Sequence, residues 1–381
     1  MNSTTAPTAP PRARRARFQE GGLVVVIVLL GLLLASFGGS VNMPAFTKNA
    51  AGERERLFTT NTAGERVPVL LEKNKFFNAQ NLTQLAKDTS FVAIMAVGAT
   101  LVIISGGIDL SVGSVYALAS VLGALVFHKF GAEGPLAQAP GWERASAGML
   151  ACVGAATACG LLNGGMIVAL RVHPFIITLG TMAIYRGIAF VITGGQSVGE
   201  FPPEFRKLVR WQVGDDLSLA PLAVILLAAV AGGIYLSRLA AGRRIYAVGG
   251  NELASRFSGI RVARVKLSVY IYSGLAAGVA ALVALGYYGS ASSGDGSGYE
   301  LDVIAAAVVG GASLSGGKGT ALGALLGALI IKMIDNGIVI LRIDQSYSRI
   351  IIGIAVILAV VLDQLNTWLA KRRLAGRAGN P

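Results

Sequence analysis

Apolar runs long enough to cross a bilayer recur along this chain, separated by short polar breaks, and that alternation predicts most of its elements. A helix needs roughly 20 apolar residues to traverse a hydrocarbon core. Runs of that kind predict spans at about 22–39, 89–105, 110–127, 146–170, 174–193, 218–237, 267–286, 302–316, 320–341 and 349–368. The expected fold class is therefore all-α, a polytopic membrane protein with about ten transmembrane helices. Some of these helices are expected to be broken at glycine-rich motifs.

The first such motif lies between the second and third spans and reads Gly106-Gly107-Ile108-Asp109-Leu110-Ser111-Val112-Gly113-Ser114. Non-helical backbone at membrane depth survives only where protein or a water-filled cavity satisfies it, so the break is a candidate substrate path or moving joint. A second break carries Gly310 and Gly311. Residues 103–126 align without gaps to 307–330, matching at 11 of 24 positions, Gly106/Gly310 and Gly107/Gly311 among them. Chance is one explanation, since Gly, Ala and Leu dominate such helices. Duplication is the other, and paired glycine-interrupted segments point to a transport site. Six spans separate the copies, which predicts both breaks on the same side.

Composition agrees with a membrane protein: 54% of the 381 residues are hydrophobic and 14% charged, against about 25% charged in soluble domains. The mean hydropathy is +0.63. The formal net charge of +13 would suit nucleic acid, but its placement excludes that reading. With the N-terminus in the cytoplasm, cytoplasmic segments hold 17 basic residues against three acidic ones, Glu20, Asp109 and Glu252. External loops hold 14 basic and 15 acidic residues. Lys and Arg concentrate on the cytoplasmic side of membrane proteins, so both termini are expected there. Residues 1–20 read as a disordered tail, 21–370 as the transmembrane domain and 371–381 as a basic tail. The domain includes a long external loop at 40–88 and a cytoplasmic loop at 238–266. Four arginines before Leu23–Leu34 also resemble a signal peptide. The apolar run continues through Ala35 and Phe37 with no A-x-A site, and an uncleaved first span is expected.

Outside the membrane, residues 76–88 are expected to form an amphipathic approach helix. Residues 194–217, with Phe201-Pro202-Pro203 and Trp211, are expected to form a short interfacial element. Tyr287, Tyr288, Asp295, Tyr299, Glu300 and Asp302 surround a Gly/Ser-rich stretch at 289–298, also placed outside. They suit either a polyhydroxylated ligand or an interfacial tyrosine belt.

Charges inside spans cost roughly 2.5–3.5 kcal/mol each on insertion scales. Lys332 and Asp335 are three apart and share a helix face with Asn336 beside them. A structural ion pair at a subunit contact is expected, with pathway lining as the alternative. Arg186 needs a partner that no local pattern supplies. Asp109 is expected to cap the helix begun by Leu110-Ser111.

Catalysis and metal binding lack the residues. The two histidines, His128 and His173, and the two cysteines, Cys152 and Cys159, form no metal-ligand spacing. Gly311–Thr320 approaches a phosphate-binding loop, but Gly319 separates Lys318 from Thr320 and no strand precedes it. No cofactor is expected, and any ATP must be bound by another chain. A secondary transporter would need several buried carboxylates, and only Asp335 is deeply placed. A membrane scaffold without transport would have little use for broken glycine helices.

The loop from Gly242 to Ile260 is the most distinctive cytoplasmic feature. Asn251 can cap a helix beginning at Glu252 and Gly259 can stop it, giving a short exposed helix with an apolar stripe of Leu253, Phe257 and Ile260. Such a knob suits a partner's groove. An ordinary interfacial helix is the plainer reading.

Four motifs, GGIDLSVGS (106–114), PFIITLGT (174–181) running on to Arg186-Gly187, GRRIYAVGGNELASRFSGI (242–260) and GYELDVIAAAVVGGASLSGGKGT (298–320), occur in order. Over about Asn78–Trp368 the chain resembles the permease subunits of bacterial ABC sugar importers, those for ribose, xylose, arabinose and galactose. The long 40–75 insertion departs from that family. The resemblance implies an inner-membrane subunit paired with a second permease copy, as homodimer or heterodimer. It further implies an ATP-binding ABC subunit docked at Gly250, Asn251, Glu252, Ser255, Arg256 and Gly259, and a periplasmic sugar-binding protein at the outer mouth. On this reading Gly106, Gly107, Asp109, Ser111, Gly113, Asn163, Thr178, Gly310 and Gly311 are pathway or helix-break residues. Permeases for nucleosides or branched-chain amino acids share much of this architecture.

Overall fold

The computed structural model describes residues 12–48, 54–62, 64–209, 212–213, 217–358 and 360–361. Its helices are α1 (Arg12–Phe37), α2 (Ala79–Ile104), α3 (Val112–Lys129), α4 (Gly141–Leu170), α5 (Pro174–Thr193), α6 (Pro203–Val209), α7 (Leu219–Arg238), α8 (Ala240–Gly250), α9 (Glu252–Phe257), α10 (Val262–Tyr288), α11 (Tyr299–Val309) and α12 (Ala321–Ile340). Among the described residues, eight of these are long and apolar enough to span a membrane: α1 to α5, α7, α10 and α12. The chain is a polytopic all-α membrane protein.

Two expected spans differ. The run at 302–316 becomes α11, whose 11 residues extend only about 16 Å, roughly half a bilayer. The glycines from Gly310 onward stop it. The last run yields a shorter apolar helix, Gln345–Leu358. The rest of that span beyond residue 361, and the basic tail at 371–381, lie outside the described residues, as do residues 1–11 and Trp211. Residues 12–20, expected as a disordered tail, belong to α1. Ala, Arg, Gln and Glu are good helix formers, so the helix continues past the end of its apolar run.

The long loop at 40–88, expected outside, is not plain coil. Residues 40–44 pair antiparallel with 70–74, 46–48 with 54–56 and 58–60 with 66–68. Three backbone bonds (Ala45 N–H to Val69, Leu57 N–H to Ala45, Val69 N–H to Leu57) tie these ladders together. The expected approach helix is the first part of α2 itself. Asn78 caps that helix by accepting from the Asn81 N–H at 2.8 Å, and nothing interrupts it before Ile104.

Burial follows position in the bundle. Helix α2 packs on α7, α10, α11 and α12 and is buried along nearly all of its second half. By contrast α4, α5 and α7 expose Leu150, Leu162, Ile184, Val191, Leu227 and Ile234, as lipid-facing helices do. Helices α4 and α10 meet along small residues. A Cβ on Gly160 would come 2.3 Å from the Tyr270 carbonyl oxygen, and one on Gly274 2.4 Å from that of Ala156. Close backbone approach is how membrane helices gain packing where no hydrophobic drive separates them from lipid. Cys152 and Cys159 are free thiols on this helix, Cys152 fully buried.

The Gly/Ser-rich segment expected outside folds back into the bundle. Beyond Gly289, Ser290–Ala291 pairs with Val198–Gly199. The chain then turns in until Gly296 rests on α3, where a Cβ would come 2.7 Å from the Tyr116 ring. Arg186, the thirteenth residue of α5, donates from Nη1 to the carbonyls of Ser293 at 2.9 Å and Asp295 at 2.6 Å. That segment supplies the missing partner of Arg186 and leads into half-helix α11. Lys332 of α12 bonds Asp302 of α11 at 2.6 Å as well as Asp335 at 2.9 Å. The expected ion pair forms, and through Asp302 it also ties α11 to α12 within the chain.

Candidate translocation site and coupling loop

The first break begins where Ser105 ends α2, its Oγ donating to the Val102 carbonyl at 2.7 Å. Gly106 adopts φ +83, a conformation that penalises any side chain. Gly107 is glycine for space, since a Cβ there would sit 2.7 Å from the Tyr270 hydroxyl. The freed carbonyl of Ile108 accepts from Tyr270 Oη at 3.2 Å and Thr178 Oγ1 at 3.4 Å. This is how non-helical backbone is satisfied within the bundle.

Asp109 is 5% exposed. Its Oδ1 accepts from the Ser111 N–H at 3.0 Å and Ser111 Oγ at 2.7 Å, and its Oδ2 accepts from Ser273 Oγ at 2.8 Å. Asp109 is not the helix cap expected: Ser111 is the N-cap of α3, and Asp109, two residues before it, forms a turn by accepting from that residue's N–H. Donation runs in one direction through a chain of side chains. Tyr185 Oη donates to Asn163 Oδ1 at 3.1 Å, Asn163 Nδ2 to Ser111 Oγ at 2.7 Å, and Ser111 Oγ to Asp109. Asp109, Ser111, Asn163 and Thr178 thus converge on one polar cluster joining α3, α4, α5 and α10. All four are buried inside this single chain, and the cluster braces the break. Gly113 sits apart from it, where a Cβ would meet Glu300 Oε2 and, at 2.6 Å, the Gly296 carbonyl oxygen.

The second break follows α11. Gly310 lies against α12, its Cβ position 2.2 Å from the Gly323 carbonyl oxygen, and Gly311 has φ +94. The loop continues through Gly316, Gly317 and Gly319, all at positive φ, to Thr320, which caps α12. Both breaks lie on the same side, because Gly317 N–H donates to Ile104 O at 2.8 Å. The two copies share a helix–glycine–helix plan but not a backbone path. Gly106 carries the positive φ in the first, while the aligned Gly310 does not. Helix α3 starts at Val112, whereas α12 starts ten residues after Gly311.

The loop between α7 and α10 is seated on this junction. A Cβ on Gly249 of α8 would lie 1.6 Å from Ile104 O and 2.8 Å from Gly317 N, and one on Gly316 would lie 2.5 Å from Gly249 O. Tyr246 Oη donates to Gly319 O at 2.7 Å. Three backbones therefore meet without intervening side chains: α8, the end of α2 and the second break.

Beyond Gly250, Asn251 turns the chain and caps α9 by accepting from the Ala254 N–H at 2.9 Å. Gly259, at φ +78, ends it. Glu252 binds Arg256 Nη2 and Lys266 Nζ, both at 2.7 Å, fastening α9 to the base of α10. The hydrogen bond from Lys266, with Arg256 assisting against partial burial, holds the Glu252 carboxyl below the usual carboxylate range. Ser255 is buried beneath. Leu253 and Phe257 project, 65% and 85% exposed, while Ile260 packs inward on the Ile245–Val248 cluster. The exposed apolar stripe is therefore shorter than the sequence suggested.

Several contributors had no local signal. Tyr185, Tyr246, Gly249, Lys266, Tyr270 and Ser273 hold these joints, yet each reads as an ordinary helix residue. Only the polar spacing of Tyr270 and Ser273, three apart in an apolar helix, hints at an inward face. Among the described residues no group of His, Cys, Asp and Glu could hold a metal ion.

A bundle of spanning helices, interrupted twice by glycine-rich joints that share an exposed loop, defines a multi-pass transport subunit. The chain belongs to the family described as branched-chain amino acid transport system / permease component, matched over residues 81–360. It is 39% identical to the ribose import permease protein RbsC of Escherichia coli K12 over 290 residues, 76% of this chain and 87% of that one. The D-allose transport system permease protein AlsC of the same organism is 35% identical over 296 residues, 77% and 86% of the two chains. The fructose import permease protein FrcC of Rhizobium meliloti is 30% identical over 303 residues, 78% and 80%.

Proposed function

We propose that this chain is the membrane-spanning permease of a bacterial importer that takes up a monosaccharide, with ATP hydrolysed by a separate subunit. The observation that carries the mechanism is the junction of α8 with Ile104 and Gly317, since any displacement of the α8–α9 loop must move both breaks. An ATPase gripping Leu253 and Phe257 would bias two arrangements of that junction, which is what coupling between sites requires. A periplasmic binding protein delivers the sugar, a second permease copy completes the pathway, and both termini face the cytoplasm. Sugar specificity is supported by the ribose, allose and fructose permeases among the relatives. A neutral polyol also needs no counter-charge, in keeping with span charges, Arg186 and Lys332, that already have partners within the chain.

A second reading rests on the family description and makes the cargo a branched-chain amino acid. To decide, the chain is purified from native membranes with its associated ATPase, reconstituted with the matching binding protein, and offered labelled ribose, allose, fructose and leucine. ATP-dependent uptake of a sugar but not leucine is the expected result. Leucine uptake, or uptake without the ATPase, would overturn the assignment.

A further inference from the structure

On the loop side of the bundle a cavity of about 570 Å³ opens between the end of α7, the start of α8 and the turn from α9 into α10. Arg244, Arg261 and Arg264 line it, with Tyr235, Ser258 and Ser268. All three arginines are exposed, and none forms an ion pair among the described residues. The nearby carboxylate of Glu252 is already held by Arg256 and Lys266. Three like charges therefore share one concavity with no counter-charge, an arrangement that an anion stabilises. Helix α10 starts at Val262, directly after Arg261, so the positive end of a long helix borders the same space. A bare phosphate would fill little of the volume. The remaining wall is apolar or aromatic, from Tyr235, Ile260 and Val265. Tyr235 ends a helix that also exposes Leu227, Val230 and Ile234, which places the cavity where acyl chains run alongside.

We propose that this cavity binds a phosphate ester, supplied by the headgroup of an anionic phospholipid in the adjoining leaflet. The projecting Leu253 and Phe257 do not line it, so occupancy leaves the tip of α9 free. A phosphate bridging Arg244 of α8 to Arg264 of α10 would steady the loop that rests on both helix breaks. Membranes rich in anionic lipid would then support a more ordered loop.

The test uses the full chain in nanodiscs of phosphatidylcholine titrated with phosphatidylglycerol, with retained lipid phosphorus counted by native mass spectrometry. Glycerol 3-phosphate and inorganic phosphate serve as soluble competitors. Each basic residue near a membrane surface contributes roughly five-fold in affinity. The variant R244Q/R261Q/R264Q should therefore bind phosphatidylglycerol roughly a hundred-fold more weakly. The equally charged control R171Q/R238Q/R243Q, whose residues lie on the same side but off the cavity, should change far less. R264Q alone, which leaves the Arg261 cap in place, should lose roughly five-fold and serves if the triple variant is unstable. Displacement by soluble phosphates at micromolar concentration would identify a soluble ester as the source, and would still support the site. Equal losses in the two triple variants, or no phosphate binding by the native chain, would overturn it.

Discussion

Replacing Gly249 with alanine adds one methyl group at the point where the loop meets both breaks. That Cβ would lie 1.6 Å from Ile104 O and 2.8 Å from Gly317 N. Both neighbours are backbone, so neither can swing aside. A carbon needs roughly 3.2 Å or more from a carbonyl oxygen, and α8 must withdraw by about 1.5 Å. The Tyr246–Gly319 bond, now 2.7 Å, would stretch beyond hydrogen-bonding range. Its loss costs about 1 kcal/mol, and overpacking adds about 1–3 kcal/mol. The sum rivals the 1–3 kcal/mol typical of coupling between sites. G249A should therefore lower ATP-driven uptake by roughly 10- to 100-fold. ATP hydrolysis should persist but respond weakly to the binding protein. G154A on α4 is the control, because a Cβ there meets nothing within 4 Å and alanine favours the helix by up to about 1 kcal/mol. Assays in proteoliposomes would measure uptake and hydrolysis together. Native uptake by G249A, with unchanged sugar transported per ATP, would refute the view that this backbone contact carries the coupling.

Three further outcomes follow from the same geometry. G107A pushes a Cβ toward the Tyr270 hydroxyl and should slow transport, while Y270F in the same chain removes that oxygen and should restore part of the rate. Strictly additive losses in the double variant would argue against the contact. K332M leaves Asp302 and Asp335 facing each other in a half-buried site and should destabilise the chain by about 3 kcal/mol. Thermal unfolding in detergent should show recovery in K332M/D302N/D335N, and no recovery would mean the lysine acts otherwise. Because the folded-state pKa of Glu252 is depressed, its anchoring contribution is fully present above the ordinary carboxylate pKa. It fades as pH falls through the lower folded value. E252Q should therefore lose loop protection in hydrogen exchange at pH 7 but match the native chain once both are acidified below the carboxylate range. A constant difference at every pH would contradict the pairing.

The membrane character, eight of the spanning helices and both glycine breaks were legible in the sequence, because each is a local property of composition and spacing. So was α9, whose limits are set by Asn251 and Gly259 through caps that need no distant partner. Other features depended on contacts distant in the chain. Residues 302–316 have the hydropathy of a span, yet α11 stops at Val309, where Gly310 packs against the Gly323 backbone of α12 and Gly311 takes a positive φ. Arg186 found its acceptors on carbonyls more than a hundred residues away, where a search for opposite charge could not look. Ile260 has the spacing of an exposed stripe but turned inward once α8 was in place.

The sequence by itself determined that this is a multi-pass membrane protein with two flexible joints and a capped exposed helix. Hydropathy, glycine and capping chemistry act over a few residues at a time. Only the tertiary structure decided that the joints touch each other, that α8 rests on both through glycine backbone, and that Asp109 is held by donors from α3 and α10. Those outcomes depend on close approach between segments far apart in the chain, where the deciding quantity is the space left for one carbon atom.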